Sequence, residues 1–111
     1  MILGYGQDDR VCAFTSMRAM LDVGQSIEKT LCCILVDKEE IGSVGATGMQ
    51  SRFFENAVAE LMNLTGEYSE LNVRRCLARC CMLSSDVSAG YDPSFASCFE
   101  KKNSAFLGKG M

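Results

Sequence analysis

The stretch Thr30-Leu31-Cys32-Cys33-Ile34-Leu35-Val36 decides the fold, and Asp37-Lys38-Glu39-Glu40 follows it directly. A continuous apolar run of this length is typical of a strand buried on both faces inside a parallel sheet. In open α/β sheets, ligands bind just beyond the carboxyl ends of such strands. Glu39 and Glu40 would then stand where chemistry takes place, although a solvated acidic turn explains this segment equally well on its own.

A helix is predicted before this run. Apolar residues recur at three- and four-residue spacing from Asp8 to about Val23, which indicates one apolar stripe on a helix. Asp8 or Asp9 can cap the start of this helix, and Gly24 can end it.

A second helix is predicted after the run, from about Met49 to Leu64. Thr47 and Gln50 have the spacing of a capping box at its start, and Thr65-Gly66 can end it.

A shorter helix is predicted to begin at Ser69. A second, short strand from about Cys81 to Leu83 then leads into Ser84-Ser85-Asp86.

Helices that alternate with apolar strands predict an α/β fold with parallel strands and flanking helices. The sheet is thin, because only Met1–Tyr5 could add an edge strand to the two strands already predicted. The chain therefore resembles a slice of a larger domain.

Composition excludes several classes of function. The 111 residues suffice for one domain, with 48% apolar and 23% charged residues. A net charge of −3 gives no electrostatic footprint for nucleic acid or for an anionic membrane. No apolar stretch is long enough to span a bilayer, and the first residues lack the basic start of a signal peptide.

The seven cysteines lack the spacing of a zinc ribbon and are odd in number: Cys12, Cys32, Cys33, Cys76, Cys80, Cys81 and Cys98. They are best interpreted as free thiols that serve as small core residues in a reducing compartment, which indicates a cytoplasmic protein. A cysteine-based metal or redox protein is the weaker alternative.

The chain contains no histidine, so it cannot hold a Ser-His-Asp or Cys-His apparatus or an imidazole metal ligand of its own. Any chemistry must rest on carboxylates or on groups supplied from elsewhere.

Three acidic sites share one structural context. Asp8 opens a helix, Glu39-Glu40 follows a predicted strand, and Asp86 follows another. If the strands are parallel neighbours, Glu39-Glu40 and Asp86 converge on one edge of the sheet. Asp8 would join them if its helix packs as the crossover between the strands, and this geometry suits a two-metal site. Neighbouring side chains of extended backbone point in opposite directions, so Glu39 and Glu40 could divide metal binding and proton transfer. The alternatives are an N-cap at Asp8 and a turn at Asp86.

The acidic residues lie within four stretches, Gly6-Gln7-Asp8-Asp9-Arg10-Val11, Val36-Asp37-Lys38-Glu39-Glu40-Ile41-Gly42-Ser43, Gly48-Met49-Gln50-Ser51-Arg52-Phe53-Phe54 and Ser84-Ser85-Asp86-Val87. In order and spacing these stretches resemble the M18 metalloaminopeptidases, the aspartyl aminopeptidase group, in its bacterial branch. The resemblance covers essentially the whole chain. It implies an α/β/α zinc-peptidase catalytic domain of the phosphorylase/hydrolase-like fold, with two zinc ions and peptide substrates.

The resemblance also implies a role for each acidic residue. Asp8 matches the carboxylate that bridges the two metals, and Glu39 matches the general base that takes a proton from the attacking water. Glu40 matches a terminal ligand of one metal, and Asp86 matches a terminal ligand of the other.

This chain departs from the family pattern in two ways. The family completes its metal site with two histidines and inserts a separate dimerisation domain, and this sequence has neither. The resemblance therefore implies that residues 1–111 are the middle segment of a catalytic domain whose complete enzyme is a homo-oligomer. The competing hypothesis is a catalytically inactive protein that acts by packing against a partner.

Overall fold

The computed structural model describes residues 2–24 and 27–109. These residues form three α-helices: α1 (Gln7–Asp22), α2 (Phe53–Leu64) and α3 (Glu70–Arg79). Short 3₁₀ turns lie at Glu39–Ile41, Pro93–Cys98 and Lys101–Asn103. The chain divides into two compact units, of which one comprises the residues up to Lys29 together with those from Ser84 onward, and the other comprises Thr30–Leu83.

Helix α1 confirms the helix predicted from Asp8 to about Val23, within one residue at each end. The predicted cap is wrong, because the N-cap is Gly6, in the left-handed region at φ 68°, and no side chain caps the helix. The end is also set one residue earlier than expected, since Val23 rather than Gly24 is the C-cap. The peptide bond between Asp8 and Asp9 is cis.

Helix α2 begins at Phe53, four residues later than the predicted start at Met49. The predicted capping box is wrong because its side chains are used elsewhere: Thr47 Oγ1 donates to Asp37 Oδ1, and Gln50 Nε2 donates to the Gly42 carbonyl. Residues 49–52 form a turn and a bend instead of the first helical turn.

The connection from α2 to α3 follows the sequence prediction closely. Helix α2 ends at Leu64, and Gly66 N–H and Glu67 N–H donate to the carbonyls of Asn63 and Met62, the bond pattern of a Schellman motif. Ser69 Oγ then accepts a hydrogen bond from Asn72 N–H at 3.1 Å and caps α3. Helices α2 and α3 pack against each other.

The described residues contain no β-strand, so the two predicted strands are not formed in this chain. Strands need partners for their backbone hydrogen bonds, and the apolar run 30–36 is not covered: Leu31, Leu35 and Val36 are 43%, 60% and 40% exposed. The edge strand predicted at Met1–Tyr5 is likewise absent from residues 2–5, while Met1 lies outside the described residues.

In the unit that contains α1, one parallel β-bridge joins Gly90 to Ala105, and Tyr91 N–H donates to the Ala105 carbonyl at 2.7 Å. The Tyr91 ring packs beside Phe99 and Phe106, with centroid distances of 5.7 and 5.1 Å. These contacts bring residues 90–91 next to residues 99–106.

In the described part of the chain, no helix combines the length and the apolar character that crossing a membrane requires.

Replacing Ser69 by Ala is expected to destabilise α3 by about 1 kcal/mol, because the N-terminal N–H of Asn72 loses its side-chain acceptor. Backbone chemical shifts of residues 70–79 report the helical population. Ser69→Asp, which keeps an acceptor, is the control, and equal loss in both variants would contradict the capping role.

Candidate functional site

Three carboxylates come together in the unit that contains α1. Each of Asp8, Asp9 and Asp86 offers an oxygen, and these oxygens all lie within 4.8 Å of one another. They form the one group of three or more potential metal ligands among residues 2–24 and 27–109. The chain thus brings together Asp8 and Asp86, two of the residues singled out from sequence.

Asp8 and Asp86 are far apart in the sequence, so the fold brings them together. Neither of the two structural alternatives is formed. Asp8 is not an N-cap, because Gly6 holds that position. Asp86 Oδ1 accepts a hydrogen bond from the N–H of the next residue, Val87, at 2.7 Å, but residues 84–88 form no turn.

The backbone of α1 explains how two consecutive aspartates enter one cluster. Asp8 (φ −84°, ψ 108°) and Asp9 (φ −118°, ψ 33°) depart from helical geometry. Regular helical backbone resumes at Arg10. The two side chains are therefore placed by an interruption at the start of the helix and not by helical periodicity.

The donor set fits a divalent cation. Asp9 Oδ1 is buried and has no hydrogen-bond partner, which is costly for a carboxylate oxygen. Two further carboxylates repel it at short range, and a cation would satisfy the oxygen and offset most of the negative charge. Carboxylate oxygens are accepted ligands of zinc.

The carboxylate cluster affects the pKa of the nearby Cys12 thiol. A hydrogen bond to Asp9 raises the pKa of the Cys12 thiol, and partial desolvation and the negative charges of Asp9 and Asp86 raise it further, against a smaller lowering by Ser85. Both aspartates thus make the start of α1 a region of negative potential.

The sequence predicts for Asp9 only a possible capping role and not its place in this cluster. The signal that could have found it was its adjacency to Asp8, but two neighbouring side chains of a regular helix would have diverged. The non-helical backbone at Asp8 and Asp9 instead lets both side chains enter the cluster.

Glu39 and Glu40 lie in the second unit, where they begin the 3₁₀ turn Glu39–Ile41. The expected extended backbone is therefore wrong at this point, but the two side chains still diverge, since successive residues of a 3₁₀ helix are about 120° apart. Their predicted convergence with Asp8 and Asp86 stays a prediction.

Hydrogen bonds from both ends of the loop hold this turn. Asp37 accepts from Thr47 Oγ1 and from Lys38 Nζ, each at 2.6 Å. Gln50 Nε2 donates to the Gly42 carbonyl at 2.7 Å, and Gln50 N–H donates to the Ser43 carbonyl at 3.2 Å. Residues 37–50 thus form a closed loop.

Gly48 is the buried residue of this loop. A Cβ at this position would collide with the Ser43 carbonyl, so the backbone of residue 48 can pass Ser43 only without a side chain.

All seven cysteines are free thiols, as expected from the sequence, but none is buried, so their predicted role as core residues is wrong. Partial desolvation raises the pKa of the Cys80 thiol, and the neighbouring Cys76, Cys81 and Cys32 add to the rise. No cysteine takes part in the group of metal ligands found among the described residues.

Comparison with known proteins identifies the family of the chain. The family model described as aminopeptidase I zinc metalloprotease (M18) matches residues 1–111. The chain belongs to the M18 family. A probable M18 family aminopeptidase 1 from Clostridium acetobutylicum is 60% identical over 111 residues, which are 100% of this chain and 24% of the relative. One from Borreliella burgdorferi is 41% identical over 113 residues, which cover 100% of this chain and 25% of the relative.

A solved structure supports the same assignment. The crystal structure of an M18-family aminopeptidase from Thermotoga maritima superposes with a TM-score of 0.82 and 37% identity, covering 96% of this M18 chain and 24% of that one. The chain spans about a quarter of the length of the curated relatives it matches.

The pKa of Asp37 is held below its ordinary value, first by the hydrogen bond from Lys38 and then by that from Thr47. Because this pKa is lowered in the folded loop, the stabilisation that Asp37 contributes is present above the ordinary carboxyl pKa and is lost as pH falls through the folded value. Thr47→Val is expected to raise the pKa of Asp37, and Lys38→Met to raise it more. An NMR titration of the Asp37 carboxyl carbon measures both, and an unchanged pKa in Lys38→Met would contradict the assignment.

Proposed function

We propose that this chain supplies the carboxylates of a dinuclear zinc aminopeptidase, which releases amino-terminal residues from peptides. The observation that carries the proposal is the cluster of Asp8, Asp9 and Asp86 in a chain that belongs to a family described as zinc metalloproteases. The number of ions and the peptidase activity of the whole protein are part of the proposal.

In this proposal Asp8, Glu40 and Asp86 would hold the zinc, with Asp8 as the ligand common to both ions, Glu40 as a ligand of one ion and Asp86 as a ligand of the other. Bound zinc would supply Lewis-acid stabilisation of the charge that develops on the scissile carbonyl. The order of these residues in the four motifs, together with the family match over residues 1–111, supports the assignment.

Glu39 is proposed as the general base. Its carboxylate accepts a proton from the water that attacks the peptide carbonyl and then delivers that proton to the nitrogen of the leaving amine. Glu39 therefore acts twice in one turnover, first as a base and then as an acid.

The predicted α/β architecture belongs to the same proposal. The apolar run 30–36 and the shorter run at Cys81–Leu83 would become parallel strands when they pair with further strands of a longer protein. The exposure of Leu35 (60%) and Leu83 (91%) supports this, because such side chains are normally covered. On this view residues 1–111 are part of a catalytic domain.

Two features of the whole protein are proposed on the sequence prediction. Seven free thiols support a reducing, cytoplasmic location. A homo-oligomeric enzyme is proposed from the family resemblance, and light scattering of the full-length protein would test it. The hypothesis of an inactive packing partner is not favoured by the family match, since the relatives are named aminopeptidases.

The first test concerns the roles of Glu39 and Asp8 in the full-length protein that contains this segment. Glu39→Gln removes the proton acceptor and keeps the shape, so turnover should fall at least about 100-fold with zinc content nearly intact. Asp8→Ala removes a shared ligand and should deplete zinc. Elemental analysis and peptide hydrolysis measure the two effects, and equal zinc loss in both variants would show that the roles are wrongly assigned.

The second test concerns the isolated chain of 111 residues. Because it contains no histidine, we expect it to bind zinc weakly and to show little or no peptidase activity. Calorimetry with zinc and an assay with aminoacyl substrates measure this. Robust turnover by the chain alone would mean that the carboxylates do not need further ligands.

A further inference from the structure

The 3₁₀ turn that carries Glu39 and Glu40 has few stabilising interactions of its own. It spans three residues, and no side chain caps its start at Lys38. Its backbone bonds run from Ile41 N–H and Ser43 N–H to the Lys38 carbonyl at 3.3 and 2.7 Å, and from Gly42 N–H to the Glu39 carbonyl at 2.9 Å. Turns of this length have poorer hydrogen-bond geometry than an α-helix.

The backbone on both sides of the turn is unfavourable. Lys38 (φ 67°) and Ser43 (φ 60°) occupy the left-handed region without being glycine. Such conformations cost of order 1–3 kcal/mol each and persist only where the surrounding structure holds them. The turn therefore needs contacts from outside its own three residues.

Gln50 makes two contacts that reach the turn from beyond it. Its side-chain amide donates to the Gly42 carbonyl at 2.7 Å, and its own N–H donates to the Ser43 carbonyl at 3.2 Å. One residue thus fixes two consecutive carbonyls directly after Glu39–Ile41. Helix α2 begins shortly after it, at Phe53, so Gln50 ties the turn to a helix that packs on α3.

We propose that Gln50 is a positioning residue for the Glu39–Glu40 pair, which it orients by clamping the Gly42 and Ser43 carbonyls. The inference rests on the proposed function for the roles of the two glutamates. Gln50 itself needs no contact with substrate. Its effect passes through the backbone to side chains whose misplacement by about 1 Å can cost about 100-fold in rate.

The direct test is amide hydrogen exchange in the 111-residue chain. Gln50→Met keeps the length of the side chain and removes the donor, so the protection of Gly42 and Ser43 amides should fall by about tenfold. Gln50→Lys, which keeps an N–H donor, should restore most of it. The control is Asn63→Leu, the same exchange of an amide for an apolar group at an exposed position of α2.

The catalytic test uses the full-length protein. Gln50→Met should lower kcat by about 10- to 100-fold with KM within about twofold, and Gln50→Lys should recover most of the loss. Asn63→Leu should leave both constants unchanged. A purely structural role would instead lower the thermal stability of Gln50→Met without changing kcat at permissive temperature, and that result would overturn the inference.

The two proposals fail in different ways. Unchanged amide protection in Gln50→Met contradicts the positioning role alone, whatever the activity of the wild-type protein. Absence of turnover in zinc-loaded wild-type protein contradicts the proposed function, and with it the catalytic consequence of the clamp, even where exchange shows that Gln50 holds the turn.

Discussion

Mutual repulsion among the carboxylates of Asp8, Asp9 and Asp86 is the main physical constraint on the unit that contains α1. Three negative groups within 4.8 Å of one another, one with a buried and unpartnered oxygen, are unfavourable unless a cation or protons offset the charge. A bound cation would offset this repulsion and give the Asp9 oxygen a partner, as the proposed metal site requires.

The two parts of the proposed site are built by different means. Asp8 and Asp9 are placed by an interruption of helical backbone at the start of α1. Glu39 and Glu40 are placed by a loop that is closed through side chains, with Thr47 on Asp37 and Gln50 on Gly42. Backbone geometry sets the first part, and hydrogen bonds between residues well separated in sequence set the second.

Local sequence predicts local structure in this chain, and little more. Apolar periodicity locates α1, Ser69 marks the start of α3, and the Thr65-Gly66 pair marks the end of α2, because these features depend on neighbours in sequence. The predicted strands are not formed, since pairing requires partners that local sequence does not specify. Thr47 and Gln50 misled the prediction of a cap for the same reason, as both side chains bond to residues earlier in the loop.

The glycines of the loop differ in what they would tolerate. Gly42 has a positive φ of 88° with nothing within 4 Å of an added methyl group, so Asn, which enters the left-handed region more readily than other residues, is a workable replacement there. At Gly48 the obstacle is space, and no choice of backbone preference relieves it. A library of loop variants would therefore be restricted at position 42 to residues that adopt the left-handed region, and position 48 would accept glycine alone.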